Sequence, residues 1–184
     1  MVAITRLQTR ASCRVSSVEG WKLLTRAVSV APAELARLRS VACRGYTVFN
    51  PDNRRVQSTL RRGDPFVDRV LGVLKGLTAG RRVGPAVAMH SYPGCQRQPM
   101  HTDFDADDCK SATTKPLGVL VALQDETRLD TPRGGIAMSQ GDVLVFYGDV
   151  VHAGAAYAQD NTRVHLYFDS PDVPRAHNVT YLTE

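Results

Sequence analysis

Apolar residues recur along this chain with two different periods, and the change of period falls near residue 82. Upstream the spacing is helical. Across Pro65–Leu77 the residues Phe66, Val67, Val70, Leu71, Val73, Leu74 and Leu77 share one side of a helix, entered through proline and stopped by Gly80. A shorter helix is expected where Pro32-Ala-Glu-Leu-Ala-Arg-Leu follows Ser29, with Leu35 and Leu38 on one face. Between the two, Gly45-Tyr-Thr-Val-Phe-Asn reads as a strand ended by Asn50-Pro51. From Val83 onward short strands alternate with turns. They are Ala86–Tyr92, closed by Pro93-Gly94, the continuous apolar run Leu117–Leu123, and Ile136-Ala-Met after two glycines. Val143–Tyr147 follows the turn Gln140-Gly141-Asp142, and Arg163–Phe168 ends at Ser170-Pro171. Strands at roughly ten-residue spacing argue for a sandwich or barrel rather than for βαβ units. The expected architecture is mostly β, a jelly-roll core with a helical N-terminal part packed against it. Residues 1–82 form the helical, basic buttress of a single domain, 83–170 its core and 171–184 a tail.

Composition narrows the class. A chain of 184 residues, 43% apolar and 22% charged, suffices for one soluble domain and not for two ordinary ones. No run approaches eighteen apolar residues, so no membrane span is expected; the longest low-charge stretch, Val143–Ala158, contains Asp149 and His152. The four cysteines, Cys13, Cys43, Cys95 and Cys109, lack CxxC spacing and follow no secretory h-region. That disfavours a disulfide scaffold or a cysteine-ligated zinc and points to a cytoplasmic protein. The first seventeen residues carry Arg6, Arg10 and Arg14 with no acid, the mark of an organelle transit peptide, but their apolar content is poor. Charge is divided: residues 1–82 hold 16 Lys and Arg against 5 Asp and Glu, residues 83–184 hold 7 against 13. An arginine-rich helix surface explains the basic front, and an anionic partner is the alternative.

The chemistry lies in the β half. His101-Thr-Asp103 follows a strand and a Pro-Gly turn, His152 follows Gly-Asp-Val-Leu-Val-Phe-Tyr, and Arg163 opens the last strand. Two histidines and one carboxylate make the facial triad that holds non-haem Fe(II) and leaves coordination positions open. In HxD, alternate residues just past a strand point the same way, so one segment supplies two ligands. The second histidine has to arrive from another strand. Singly each piece is weak; their order and surroundings carry the specificity.

In that order the sequence resembles the 2-oxoglutarate- and Fe(II)-dependent dioxygenase superfamily, over about residues 83–170. "SYPGCQRQPMHTDFD" is similar to its strand-turn-HxD segment, "GDVLVFYGDVVHAG" to the segment delivering the distal histidine, and "NTRVHLYF" to the strand with the co-substrate anchor. The resemblance implies a double-stranded β-helix, the jelly roll of cupin-like proteins. It implies His101, Asp103 and His152 as iron ligands, and Arg163 paired with the distal carboxylate of 2-oxoglutarate. Tyr92, nine residues before His101, would reach that carboxylate as in prolyl-hydroxylase-like and AlkB-like members. Fe(II), 2-oxoglutarate and O2 are the implied cofactor and co-substrates, with ascorbate as an accessory reductant.

Other polar residues carry less. His165 and Tyr167 share a face with Arg163, and His165 reads either as an interior histidine beside the site or as a group acting on substrate or ligands. His90, on the face of Tyr92, reads the same way, and His177 as a solvated tail residue. Asp105, Asp107 and Asp108 lack the glycine and closing glutamate of a calcium loop and are expected in a solvated loop. Asp125–Arg133 is expected to be a loop at the barrel mouth. Three functions compete: a hydroxylase of a protein side chain or small molecule, an AlkB-like nucleic-acid demethylase, and a cupin-like metal protein that does not use 2-oxoglutarate. The AlkB-like reading lacks its second arginine, since Val-His-Leu-Tyr-Phe-Asp follows Arg163.

Overall fold

The computed structural model describes residues 13–16, 20–48, 51–173, 175 and 180–183. The expected transit-peptide arginines Arg6 and Arg10, the end of the Gly45–Asn50 strand and the tail residue His177 lie outside the described residues. In chain order the elements are β1 (Cys13–Ser16), β2 (Trp21–Leu24), α1 (Pro32–Cys43), β3 (Tyr46–Thr47), β4 (Arg55–Thr59), α2 (Pro65–Leu74), β5 (Arg82–Ser91), β6 (His101–Thr102), α3 (Ala106–Ser111), β7 (Leu117–Ala122) and β8 (Thr127–Thr131). They continue with β9 (Gly134–Met138), β10 (Val143–Tyr147), β11 (Ala153–Gly154), β12 (Asn161–Asp169) and β13 (Tyr181–Leu182). An antiparallel sheet runs β1-β2-β10-β7-β12-β5-β4-β3, and the smaller sets β11-β8-β9 and β13-β6 lie against it.

Strand alternation decides what each face of the large sheet touches. Val119 and Val121 of β7, Val143 and Val145 of β10, and Val164, Leu166 and Phe168 of β12 share one hydrophobic cluster with Leu38 and Ala42 of α1 and with Phe66, Val67, Val70 and Leu74 of α2. On the opposite face Leu120, Ala122, Leu144 and Phe146 meet Leu129 of β8 and Met138 of β9. The central strand β7 is therefore buried on both sides, which is why it reads as an unbroken apolar run.

The helices are fixed at their entrances. Asp64 caps α2 by accepting the Phe66 N–H at 3.0 Å, and Pro65 follows it. The same carboxylate takes Arg37 of α1 with both oxygens, at 2.7 and 3.0 Å, so one residue starts α2 and ties it to α1. α2 stops at Leu74, short of the expected Leu77. The Leu77 N–H turns back onto the Leu74 carbonyl, and Gly80 closes the turn at φ 76°.

Three expectations are corrected. The front half is not only a helical buttress: β1 and β2 extend one edge of the large sheet, and β4 and β3 the other. These strands are short, and β4 begins at a buried arginine, so apolar periodicity does not mark them. Asp125–Arg133 is no loop, because β8 occupies its centre between β11 and β9. Thr127 and Leu129 point inward as a strand requires, but Asp130, also buried and paired with Arg128, hides the alternation. Residues 106–111 form the short helix α3. Asp105 caps it by accepting the N–H groups of Asp107 and Asp108.

Because Phe66 is fully buried between α2 and the sheet, Phe66→Ala is expected to lower the unfolding free energy by about 3–5 kcal/mol in urea titrations. Removing residues 1–82 strips the cover from Val119, Val121 and Val164, so the remainder should melt without a cooperative transition. A fragment from Val83 that unfolds cooperatively would make the front half a separate unit.

Candidate metal centre

His101 ends the turn-rich stretch after β5, and His152 lies just before β11. The two are joined by a reciprocal pair of main-chain hydrogen bonds, each N–H to the other's carbonyl at 2.9 Å. Directly paired residues put their side chains on one side of the ladder, and here the imidazole centroids are 4.6 Å apart. Asp103, two residues past His101, points to the same side, so one donor atom from each of the three residues lies within 4.8 Å of the others.

The surroundings leave the right atoms free. His101 Nδ1 is 2.8 Å from the Pro99 carbonyl and His152 Nδ1 is 2.8 Å from the Val150 carbonyl. A carbonyl only accepts, so both Nδ1 atoms carry the proton and both Nε2 lone pairs face the centre. Asp103 Oδ2 is buried with no hydrogen-bond partner. Two imidazoles and one buried carboxylate suit a divalent first-row metal, and the set would fit Fe(II). Gly118 of β7 makes room: a Cβ there would stand 2.5 Å from the Phe146 ring and 3.0 Å from Asp103 Oδ2.

Electrostatics favour the ligating forms. Burial lowers the pKa of His152 to about 4, against the raising effect of Asp103, so the imidazole is neutral at pH 7. Burial alone would raise Asp103, but His165, His152 and His101 outweigh it and hold the carboxyl far below its usual range. His165, on β12, brings Nε2 to 3.4 Å from Asp103 Oδ2. It lies beside the site, its ring 4.4 Å from that of Tyr167.

A cavity of about 530 Å³ opens on the triad, within the range of small-ligand sites. Leu120, Leu129 and Phe146 line it with the triad, and Tyr46, Gln57 and Thr180 lie on it as well. Arg163, His165 and Tyr167 enter from β12 because alternate residues of that strand face inward. Arg163 is 2% exposed. Its Nη1 donates to Ser91 Oγ at 3.1 Å, its guanidinium lies 5.2 Å from the Tyr157 ring centre, and Nη2 has no partner.

Tyr92 does not join this group. Arg163 pairs with Met89 across the β12–β5 ladder and Thr162 with His90, so His90 and Tyr92 belong to the helix-side face. Tyr92 is 36% exposed and packs edge-on against His90, 4.7 Å between ring centres. His90 is likewise not beside the site; its Nδ1 is 3.0 Å from Thr162 Oγ1. Ser91 and Tyr157 occupy the surroundings expected of Tyr92. Sequence reasoning also missed Arg55. It is fully buried on the same cavity, and no apolar pattern or motif surrounds it.

No protein-family model and no curated protein sequence matches the chain. Solved structures do. A viral collagen prolyl hydroxylase from Paramecium bursaria Chlorella virus-1, in complex with 2-oxoglutarate, superposes with a TM-score of 0.61 at 15% identity, covering 82% of this chain and 96% of its own. HygX from Streptomyces hygroscopicus, with nickel and 2-oxoglutarate bound, gives 0.63 at 13% identity, covering 89% and 91%. A Pseudomonas putida prolyl-4-hydroxylase gives 0.56 at 15%, covering 82% and 92%. The chain thus has the jelly-roll fold of the 2-oxoglutarate-dependent oxygenases.

His101→Ala, Asp103→Ala and His152→Ala are each expected to abolish tight Fe(II) binding in equilibrium titrations while near-UV circular dichroism stays near wild type. Full binding in any one variant would remove that residue from the ligand set. The chelator-treated protein should lose stability as the pH falls. The folded His152 value of about 4 lies below the ordinary 6.5, so between those values the unfolded chain binds the extra proton and stability rises with pH. Urea midpoints that stay flat from pH 6.5 to pH 4 would contradict it.

Proposed function

We propose that the protein is an Fe(II)- and 2-oxoglutarate-dependent oxygenase that hydroxylates a protein side chain or a small molecule. The observation carrying this reading is the shared cavity: a His-Asp-His donor set and a buried arginine whose Nη2 has no partner line it together. A cupin-like metal site alone does not call for such an arginine. An unpaired guanidinium in this interior is costly, and a dicarboxylate co-substrate removes the cost.

In the overall reaction O2 and 2-oxoglutarate are consumed, succinate and CO2 are released, and one oxygen atom enters a substrate C–H bond. Bound iron would supply the oxygen activation coupled to that decarboxylation. The chain's own residues do the rest. His101, Asp103 and His152 would hold the metal through three donors and leave its remaining positions open to the cavity. Arg163 presents Nη2 to the distal carboxylate, steadied by Ser91 and Tyr157. Phe146, Leu120 and Leu129 keep water away from the ligands.

The arginines of the two front helices support the hydroxylase over a nucleic-acid demethylase. Arg37 pairs with Asp64, Arg69 with Glu34, and Arg39 with Asp160. These arginines of α1 and α2 are engaged by acids rather than arrayed for phosphates. No helix among the described residues is long and apolar enough to cross a membrane.

Succinate formed from 2-oxoglutarate, dependent on Fe(II) and oxygen, tests the proposal. Arg163→Ala should raise the KM for 2-oxoglutarate steeply with Fe(II) affinity unchanged, and Arg163→Lys should recover part of the loss, keeping the charge but not the two-pronged geometry. Tight 2-oxoglutarate binding in Arg163→Ala would move the anchor elsewhere.

A further inference from the structure

Arg55 lies on β4 directly across the ladder from Ser91 of β5, the residue whose hydroxyl accepts Arg163 Nη1. Both guanidiniums are buried, Arg55 fully, and both line the cavity. They share one aromatic ring, since Arg55 and Arg163 lie 5.9 and 5.2 Å from the centre of Tyr157. Among the described residues neither is paired with a carboxylate. Two like charges thus share one buried pocket end without an acid.

Part of Arg55 is structural. Its Nη2 donates to the Ala155 carbonyl at 2.8 Å and to those of Gln96 and Gly154 at 3.3 Å, bracing the chain just after His152. That accounts for one nitrogen. Nε and Nη1 of Arg55 and Nη2 of Arg163 are buried without a partner. Gly154 leaves space for Nη1, for a Cβ there would stand 2.0 Å from it. Burial and the Arg163 charge lower the pKa of Arg55 to about 10, which still leaves it cationic at neutral pH.

We propose that Arg55 is a second anion-binding guanidinium, forming with Arg163 a two-arginine cradle for one carboxylate, and that it makes the cavity selective for dicarboxylates over monocarboxylates. The cradle rests on the oxygenase reading in that its ligand is the distal carboxylate of 2-oxoglutarate. Three nitrogens without a partner belong to two guanidiniums that line one cavity, and a bound carboxylate would offset a repulsion that no carboxylate among the described residues relieves by pairing with either arginine.

The test compares 2-oxoglutarate with 2-oxobutyrate, which keeps the 2-oxo acid but lacks the distal carboxylate. Calorimetric titrations use anaerobic Fe(II)-loaded wild type, Arg55→Gln and Arg55→Lys, with Fe(II) uptake and near-UV circular dichroism reporting the fold. Wild type is expected to prefer 2-oxoglutarate strongly. Arg55→Gln should weaken 2-oxoglutarate by roughly 10- to 100-fold, the range for a hydrogen bond to a charged group, and leave 2-oxobutyrate unchanged. Arg55→Lys, which keeps a charge in the pocket, should lie between the two and decides the matter if the glutamine variant fails to fold. An unchanged preference in the folded variants, or an equal loss for both acids, reduces Arg55 to a brace for the carbonyls and overturns the proposal. Failure of the oxygenase reading has a separate signature: no succinate from 2-oxoglutarate in wild type, with Arg55-dependent binding of glutarate to the chelator-treated protein retained.

Discussion

The reciprocal main-chain hydrogen bonds between His101 and His152 are the constraint on which the site depends. They hold two segments 51 residues apart in one antiparallel register, and that register puts both imidazoles on one side. Carbonyls two residues upstream of each histidine then fix the tautomers. Asp103 needs no anchor of its own, since it follows His101 at the spacing that returns a side chain to the same side. A one-residue slip of this pairing would turn one ring away and leave two of the three candidate donors together.

The second requirement is a buried interior that tolerates charge. Arg163, Arg55, Asp103 and three histidines line the cavity, while the opposite face of the large sheet packs a mainly apolar surface under α1 and α2. Alternation along β12 does both jobs at once: Val164, Leu166 and Phe168 anchor the strand to the helices, and Arg163, His165 and Tyr167 line the cavity. The cost of the inward charges is met by burial on the outward face, which couples the helical front to the chemistry of the β half.

Much of this was legible in the sequence because it rests on short-range order. HxD, the later histidine after a buried strand, and an arginine at the head of the last strand each follow from local spacing, and β5, β7, β10 and β12 follow from apolar runs. What escaped depends on pairing partners far along the chain. Tyr92 looked suitable by its distance from His101, yet the β5–β12 register sends it to the helix side and puts Ser91 beside Arg163. β4 went unread because its inward residue is an arginine, and β8 because Asp130 breaks its apolar alternation. Buried charge erases the pattern that reveals a strand, so the elements missed are those that bring polar groups inside.

The central claim is that the triad and the arginine end of the cavity bind one ligand together. Anaerobic absorption spectroscopy tests this most directly, by adding Fe(II) and then 2-oxoglutarate to the intact protein. The account predicts a weak visible metal-to-ligand charge-transfer band that appears only when both are present, saturates at one equivalent of each, and is lost in Asp103→Ala. Fe(II) binding without any such band, or a band that persists in Asp103→Ala, would contradict it.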